Sequence, residues 1–118
     1  MAKVALVVFA DSEGHENLAR VVNAMTIAKE FKEAGDEVAL IFDGGGTTWI
    51  PQLASDEHLA HRLFESVRDV IAGACRYCAG AFGVKEGVEQ AGIRLLDDYE
   101  QHPSIRSYVA DGYQVLTF

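Results

Sequence analysis

Two cysteines three residues apart, Cys75 and Cys78, are the side chains of this sequence best able to do chemistry. They bracket the stretch Cys75-Arg76-Tyr77-Cys78, where an apolar run ends and a helical segment begins. A thiol that opens a helix meets unpaired amide groups and the positive end of the dipole, and both favour the nucleophilic thiolate. Arg76 would add positive charge. Cys75 would end the strand and Cys78 would lie on the first helical turn, so the exposed, reactive role falls to Cys78. The competing reading is structural, because free cysteines are often small buried apolar residues. Three chemistries suit reactive thiols in this position. A single accessible thiolate is enough to take up and pass on a sulfane sulfur by the logic of thiol–disulfide exchange. A dithiol oxidoreductase of the thioredoxin kind also uses strand–CxxC–helix. It needs a cis-proline facing the motif, and neither Pro51 nor Pro103 is suitably placed. A zinc site needs about four ligands. The scattered His15, His58, His61 and His102 form no ligand spacing with the cysteine pair, so no metal is expected.

The other candidates are pocket residues. Asp11, Ser12 and His15 follow the first apolar run, Gly44 and Gly45 follow the second, and with Arg76 they are expected to line a substrate pocket. His15 either donates a proton near the thiol or merely starts a helix. Gly44-Gly45-Gly46 has neither dinucleotide-binding nor P-loop spacing and reads as a flexible turn that lets a ligand approach the backbone. His58 and His61, with Glu65 one turn further on, read as a solvated helix face. Trp49 reads as an anchor partly buried in an oligomer contact. The loop Asp11-Ser12-Glu13-Gly14-His15-Glu16 carries three acids that repel the phosphate of a flavin nucleotide. No flavin, and no other cofactor, is expected.

The elements that must hold these residues follow from periodicity. Val4 to Ala10 is a continuous apolar run, as in a strand buried on both faces. Leu18, Val21, Val22, Met25, Ala28 and Phe31 fall at helical spacing within Glu16 to Ala34, and Gly35 stops that helix. Val38 to Phe42 is a second buried strand. Ser55 is expected to cap a helix whose apolar face is Leu59, Leu63, Phe64, Val67 and Val70. Val70 to Ala74 forms a third strand and a short, glycine-broken helix starts near Cys78. Ile93 to Leu96 is a weak fourth strand. Pro103 opens a helix reaching Ala110, with Gly112 as its stop, and Tyr113 to Phe118 is a fifth strand. Strands alternating with helices imply an α/β fold with a mainly parallel five-stranded sheet, helices on both faces, in three flavodoxin-like layers. By fold analogy the strand order is expected to be 2-1-3-4-5. The ligand crevice would then lie between the first and third strands, outside their carboxyl ends.

Composition narrows the function classes. The chain has 118 residues, enough for one domain over 1–118 and no second core. With 49% hydrophobic and 24% charged residues it is neither disordered nor a membrane protein. No apolar run reaches the roughly 18 residues of a membrane helix. The opening MAKVALVVFADSEG is too short in apolar residues for a secretory signal, so a cytoplasmic location is expected. Ten basic against 18 acidic residues give a net charge of −8 without any basic cluster. Nucleic acid and anionic membranes are therefore poor partners.

The stretch Cys75 to Val84, C-R-Y-C-A-G-A-F-G-V, resembles the DsrE/DsrF-like family, which includes the TusBCD sulfur-relay proteins. Cys78 matches the cysteine before the family's short helix, and Ala81, Gly83 and Val84 match its tail. Gly112 to Phe118 looks like the family's last strand, and the resemblance spans nearly the whole chain. It implies a flavodoxin-like, DsrE-like fold, a homotrimer or homohexamer, and a sulfur-carrying cysteine at Cys78 served by donor and acceptor proteins. Cys75 would modulate or resolve the loaded thiol. The alternatives are a non-enzymatic oligomer that binds a small ligand or serves assembly, and a CxxC dithiol oxidoreductase.

Overall fold

A computed structural model describes residues 1–118. The two continuous apolar runs become the central strands β1 (Lys3–Val8) and β2 (Glu37–Phe42), which pair in parallel from Lys3↔Glu37 to Val8↔Phe42. Both are buried on both faces over most of their length, which is why neither alternates polar with apolar. Between them runs α1 (Gly14–Glu33), buried through Val21, Ala24, Met25 and Ala28. Its end is a Schellman motif: Asp36 N donates to Phe31 O, and Gly35 N to Lys32 O. Gly35 has φ +82°, the left-handed value this motif favours.

After β2, a 3₁₀ turn over Gly44–Thr48 leads into α2 (Trp49–Leu53). The helix expected from Ser55 through Val70 is replaced by turns, the short α3 (His61–Ser66) and a 3₁₀ turn at Arg68–Val70. Side chains compete for the backbone here. Ser55 Oγ accepts from Glu57 N at 3.3 Å, and His58 Nδ1 accepts from Ala60 N at 3.0 Å. Then come β3 (Ile71–Cys75), α4 (Arg76–Ala81), α5 (Lys85–Gln90), β4 (Leu95–Leu96), α6 (Ile105–Ala110) and β5 (Gln114–Thr117). Ser104, after the expected Pro103 start, caps α6 by accepting from Ser107 N at 3.2 Å.

Every strand pairing is parallel, and the sheet order is β4-β3-β2-β1-β5, not 2-1-3-4-5. From β1 to β4 each connection steps the same way across the sheet. Right-handed crossovers therefore place α1 to α5 on one face, and the return from β4 to β5 places α6 on the other. The core divides accordingly. A cluster of 19 buried residues, including Leu6, Leu40, Phe42, Met25 and Phe64, fills the first face. Val7, Ile41 and Leu96 pack with Ile105, Tyr108 and Val115 on the second. The result is the three-layer, flavodoxin-like α/β arrangement with helices on both faces. No helix is long and apolar enough to cross a membrane.

Candidate functional site

With this strand order β2 separates β1 from β3, so the thiols do not face a crevice between the first and third strands. They face the ends of β2 and β4 instead. The register pairs Phe42 with Ala74, so the next residues, Asp43 and Cys75, leave the two strands side by side. Cys75 ends β3, and its Sγ accepts from Cys78 N at 3.4 Å, which caps α4. Cys75 is fully buried and Cys78 half-buried; both are free thiols. Burial is the main force pushing the Cys75 thiol up to about 12, so at neutral pH it keeps its proton.

Two side chains complete the site. Cys78 Sγ donates to Asp43 Oδ1 at 3.5 Å, and the same oxygen accepts from Gly44 N at 2.8 Å. His102 Nδ1 lies 3.2 Å from Cys75 Sγ. The donor atoms of Asp43, Cys75, Cys78 and His102 all lie within 4.8 Å of one another. His102 arrives from the loop after β4 through a tight turn. Tyr99 and His102 exchange both backbone hydrogen bonds, at 2.9 and 2.8 Å, and Glu100 and Gln101 both have positive φ, 47° and 66°. Two central residues with positive φ are the signature of a type I′ turn, normally built from Asn and Gly. Side chains held in that region are strained, and such strain persists where the surroundings enforce it. Here Gln101 O accepts from Tyr77 N at 2.9 Å, and the His102 ring packs on Tyr77 with centroids 5.1 Å apart.

The expected pocket residues are distributed more widely. Gly44 and Gly45 lie in the 3₁₀ turn that packs on α4, and Gly44 N holds Asp43. That turn is tightly fitted, not flexible: a Cβ on Gly46 would run into the Val8 carbonyl. Asp11 touches the other side of the turn, where Gly45 approaches its Cβ, and Ser12 N donates to Thr48 Oγ1 at 3.2 Å. The Asp11 carboxylate is occupied by Asn17 Nδ2 at 3.0 Å. His15 is exposed at the start of α1 and is not among the four residues whose donor atoms cluster at the thiols. Arg76 points to Asp97, 3.8 Å away, and lines an open cavity of about 310 Å³ with Tyr77, Gly80, Ala81, Lys85 and Gln101. The charged group beside Cys78 is therefore the Asp43 carboxylate. α4 has only six residues, so its dipole adds little. Trp49 is not an interface anchor: it is 3% exposed, and its Nε1 donates to Ala10 O at 2.8 Å. Nor do His58 and His61 form a solvated face. His58 packs edge-on against Trp49, and His61 Nδ1 lies 2.8 Å from Leu53 O.

Sequence reasoning missed Asp43 and His102 as site residues. Asp43 was legible only with the strand order in hand, from its place one residue beyond β2. His102 gave no signal, because a strained turn and not a spacing brings it in.

The chain is 32% identical over 115 residues to the uncharacterized protein MJ0733 of Methanocaldococcus jannaschii, an alignment covering 97% of this chain and 93% of that relative. The chain belongs to the family of MJ0733. No protein-family model matches it. Among solved structures, the MJ0733-family fold seen here matches the conserved protein of unknown function BT1422 from Bacteroides thetaiotaomicron, with a TM-score of 0.67 at 15% identity over 97% of this chain and 94% of that one. It also matches the ychN protein of E. coli, with a TM-score of 0.61 at 14% identity over the full length of both chains. At such identities the likeness shows the fold alone, the three-layer parallel α/β arrangement described above.

Proposed function

We propose that this MJ0733-family chain acts over 1–118 as one DsrE/DsrF-like domain, a cytoplasmic sulfur-relay carrier or sulfurtransferase-like protein that accepts a persulfide sulfur on Cys78. One observation carries the reading: a half-buried thiol donates to a carboxylate beside a second, fully buried thiol. The step is an exchange. Cys78 passes its proton to Asp43, and its sulfur attacks the terminal sulfur of a donor persulfide. The donor S–S bond breaks and the Cys78 S–S bond forms. The proton goes to the departing donor thiolate, so one thiol and one persulfide give one persulfide and one thiol without net oxidation. An acceptor protein reverses the step. Cys75, buried and protonated, modulates the loaded state. If it attacks Cys78 it forms a disulfide and releases hydrogen sulfide, which ends the cycle. The exposed Leu116 on the outer strand β5 supports self-association as a homotrimer or homohexamer.

The test is sulfur loading of the reduced protein by a small-molecule persulfide, read by intact mass and peptide mapping. Cys78→Ser should take up none and Cys75→Ser should load. Equal loading of the Cys78→Ser protein overturns the assignment. A second reading, a non-enzymatic ligand-binding oligomer, is favoured only by the open cavity beside Arg76 and Lys85.

A further inference from the structure

We infer that Asp43, Cys75, Cys78 and His102 form a binding site for a tetrahedral divalent transition-metal ion, with zinc as the best-matched occupant. The inference does not rest on the sulfur-carrier reading, although the two share Cys78.

The donor set is two thiols, one imidazole and one carboxylate. A mixed sulfur and nitrogen set in tetrahedral array suits Zn²⁺ over Mg²⁺ or Ca²⁺, which prefer oxygen. The spacing fits. With Zn–S near 2.3 Å and Zn–N or Zn–O near 2.0 to 2.1 Å, a tetrahedron separates sulfur from nitrogen or oxygen by about 3.6 Å. The corresponding pairs here are 3.2 Å for Cys75 Sγ to His102 Nδ1 and 3.5 Å for Cys78 Sγ to Asp43 Oδ1. No donor pair exceeds 4.8 Å, so a contraction of about 1.5 Å at most closes the site around an ion.

The supporting groups are also those a metal centre needs. The Gly44 N–H fixes the Asp43 carboxylate, the Cys78 N–H points at Cys75 Sγ, and Tyr77 braces the His102 ring. The four donors come from the ends of β2 and β3, from α4 and from the loop after β4, so one ion would tie these elements together. On binding, each thiol gives its proton to solvent and imidazole binds through its lone pair. Two thiolates and one carboxylate with Zn²⁺ leave the centre at −1. A metal-bound Cys78 is not free to attack a persulfide, so metal loading and sulfur loading exclude each other.

The test uses reduced, metal-free protein titrated with Co²⁺ alone and then displaced by Zn²⁺. The expected result is one equivalent bound, with thiolate-to-cobalt charge-transfer absorption and intense tetrahedral d–d bands that Zn²⁺ removes. His102→Ala and Asp43→Asn should each weaken Zn²⁺ binding by more than the roughly 10–100-fold that loss of an outer supporting group costs. His15→Ala should leave it unchanged. Weak octahedral-type spectra, absence of charge-transfer absorption on the wild-type protein, or unaltered affinity in both variants would overturn the site. Because the cobalt spectrum is read on the unaltered chain without any sulfur donor, it stands whether or not Cys78 carries sulfur. Sulfur loading of the metal-free protein is read separately.

Discussion

Cys75 and Cys78 share a motif but not an environment. The first is fully buried, its proton held by desolvation, and the second is half-buried against a carboxylate. Native-state alkylation should reflect this directly. Iodoacetamide should modify Cys78 first, with Cys75 slower by at least about tenfold, because each ~1.4 kcal/mol of local opening costs a factor of about ten. Equal rates in the folded protein, followed by mass mapping, would contradict the assigned burial. The sequence was informative about the pair itself: Cys75 does end the strand and Cys78 does lie on the first turn of α4. It misjudged the surrounding charge. Arg76 is adjacent in sequence yet turns to Asp97, whereas Asp43, 35 positions away from Cys78, meets its sulfur. Proximity along a chain says little about which charge a side chain meets once a parallel sheet has aligned distant strand ends.

At the scale of elements, the turn Tyr99–His102 is where local preference and tertiary need conflict. Glu100 and Gln101 occupy positions that favour Asn and Gly. Replacing them together, Glu100→Asn with Gln101→Gly, should raise stability by about 2 kcal/mol, since non-glycine residues held at positive φ cost roughly 1 kcal/mol each. Urea denaturation with an unchanged slope is the measurement. A lower midpoint would mean that the present side chains, and not the backbone, hold the turn. The central strands and α1 were legible because continuous apolar runs and a 3.6-residue period have few alternative readings. The strand order was not, since nothing in β3 or β4 states which neighbour it takes. The stretch from Ser55 to Val70 also escaped, because Ser55, His58 and His61 each bond to backbone and break what its apolar spacing suggests.

For the whole molecule, the single reversal in strand order places all but one helix on one face and leaves β5 as an outer strand beside β1. Leu116 on that strand is 37% exposed and Phe9, just beyond β1, is 47% exposed. An unpaired apolar edge of this kind invites a second copy. Sedimentation velocity should therefore find an oligomer, and Leu116→Glu should shift it toward monomer without lowering sulfur loading per chain. A monomeric wild-type protein would overturn self-association through this edge. Sulfur uptake at Cys78 does not depend on assembly, and intact mass spectrometry of the reduced, metal-free chain after exposure to a persulfide donor reads it. The expected result is one added sulfur, mapped to Cys78 and lost in Cys78→Ser. An unmodified mass with both thiols shown to be free, or an adduct that persists in Cys78→Ser, would contradict it.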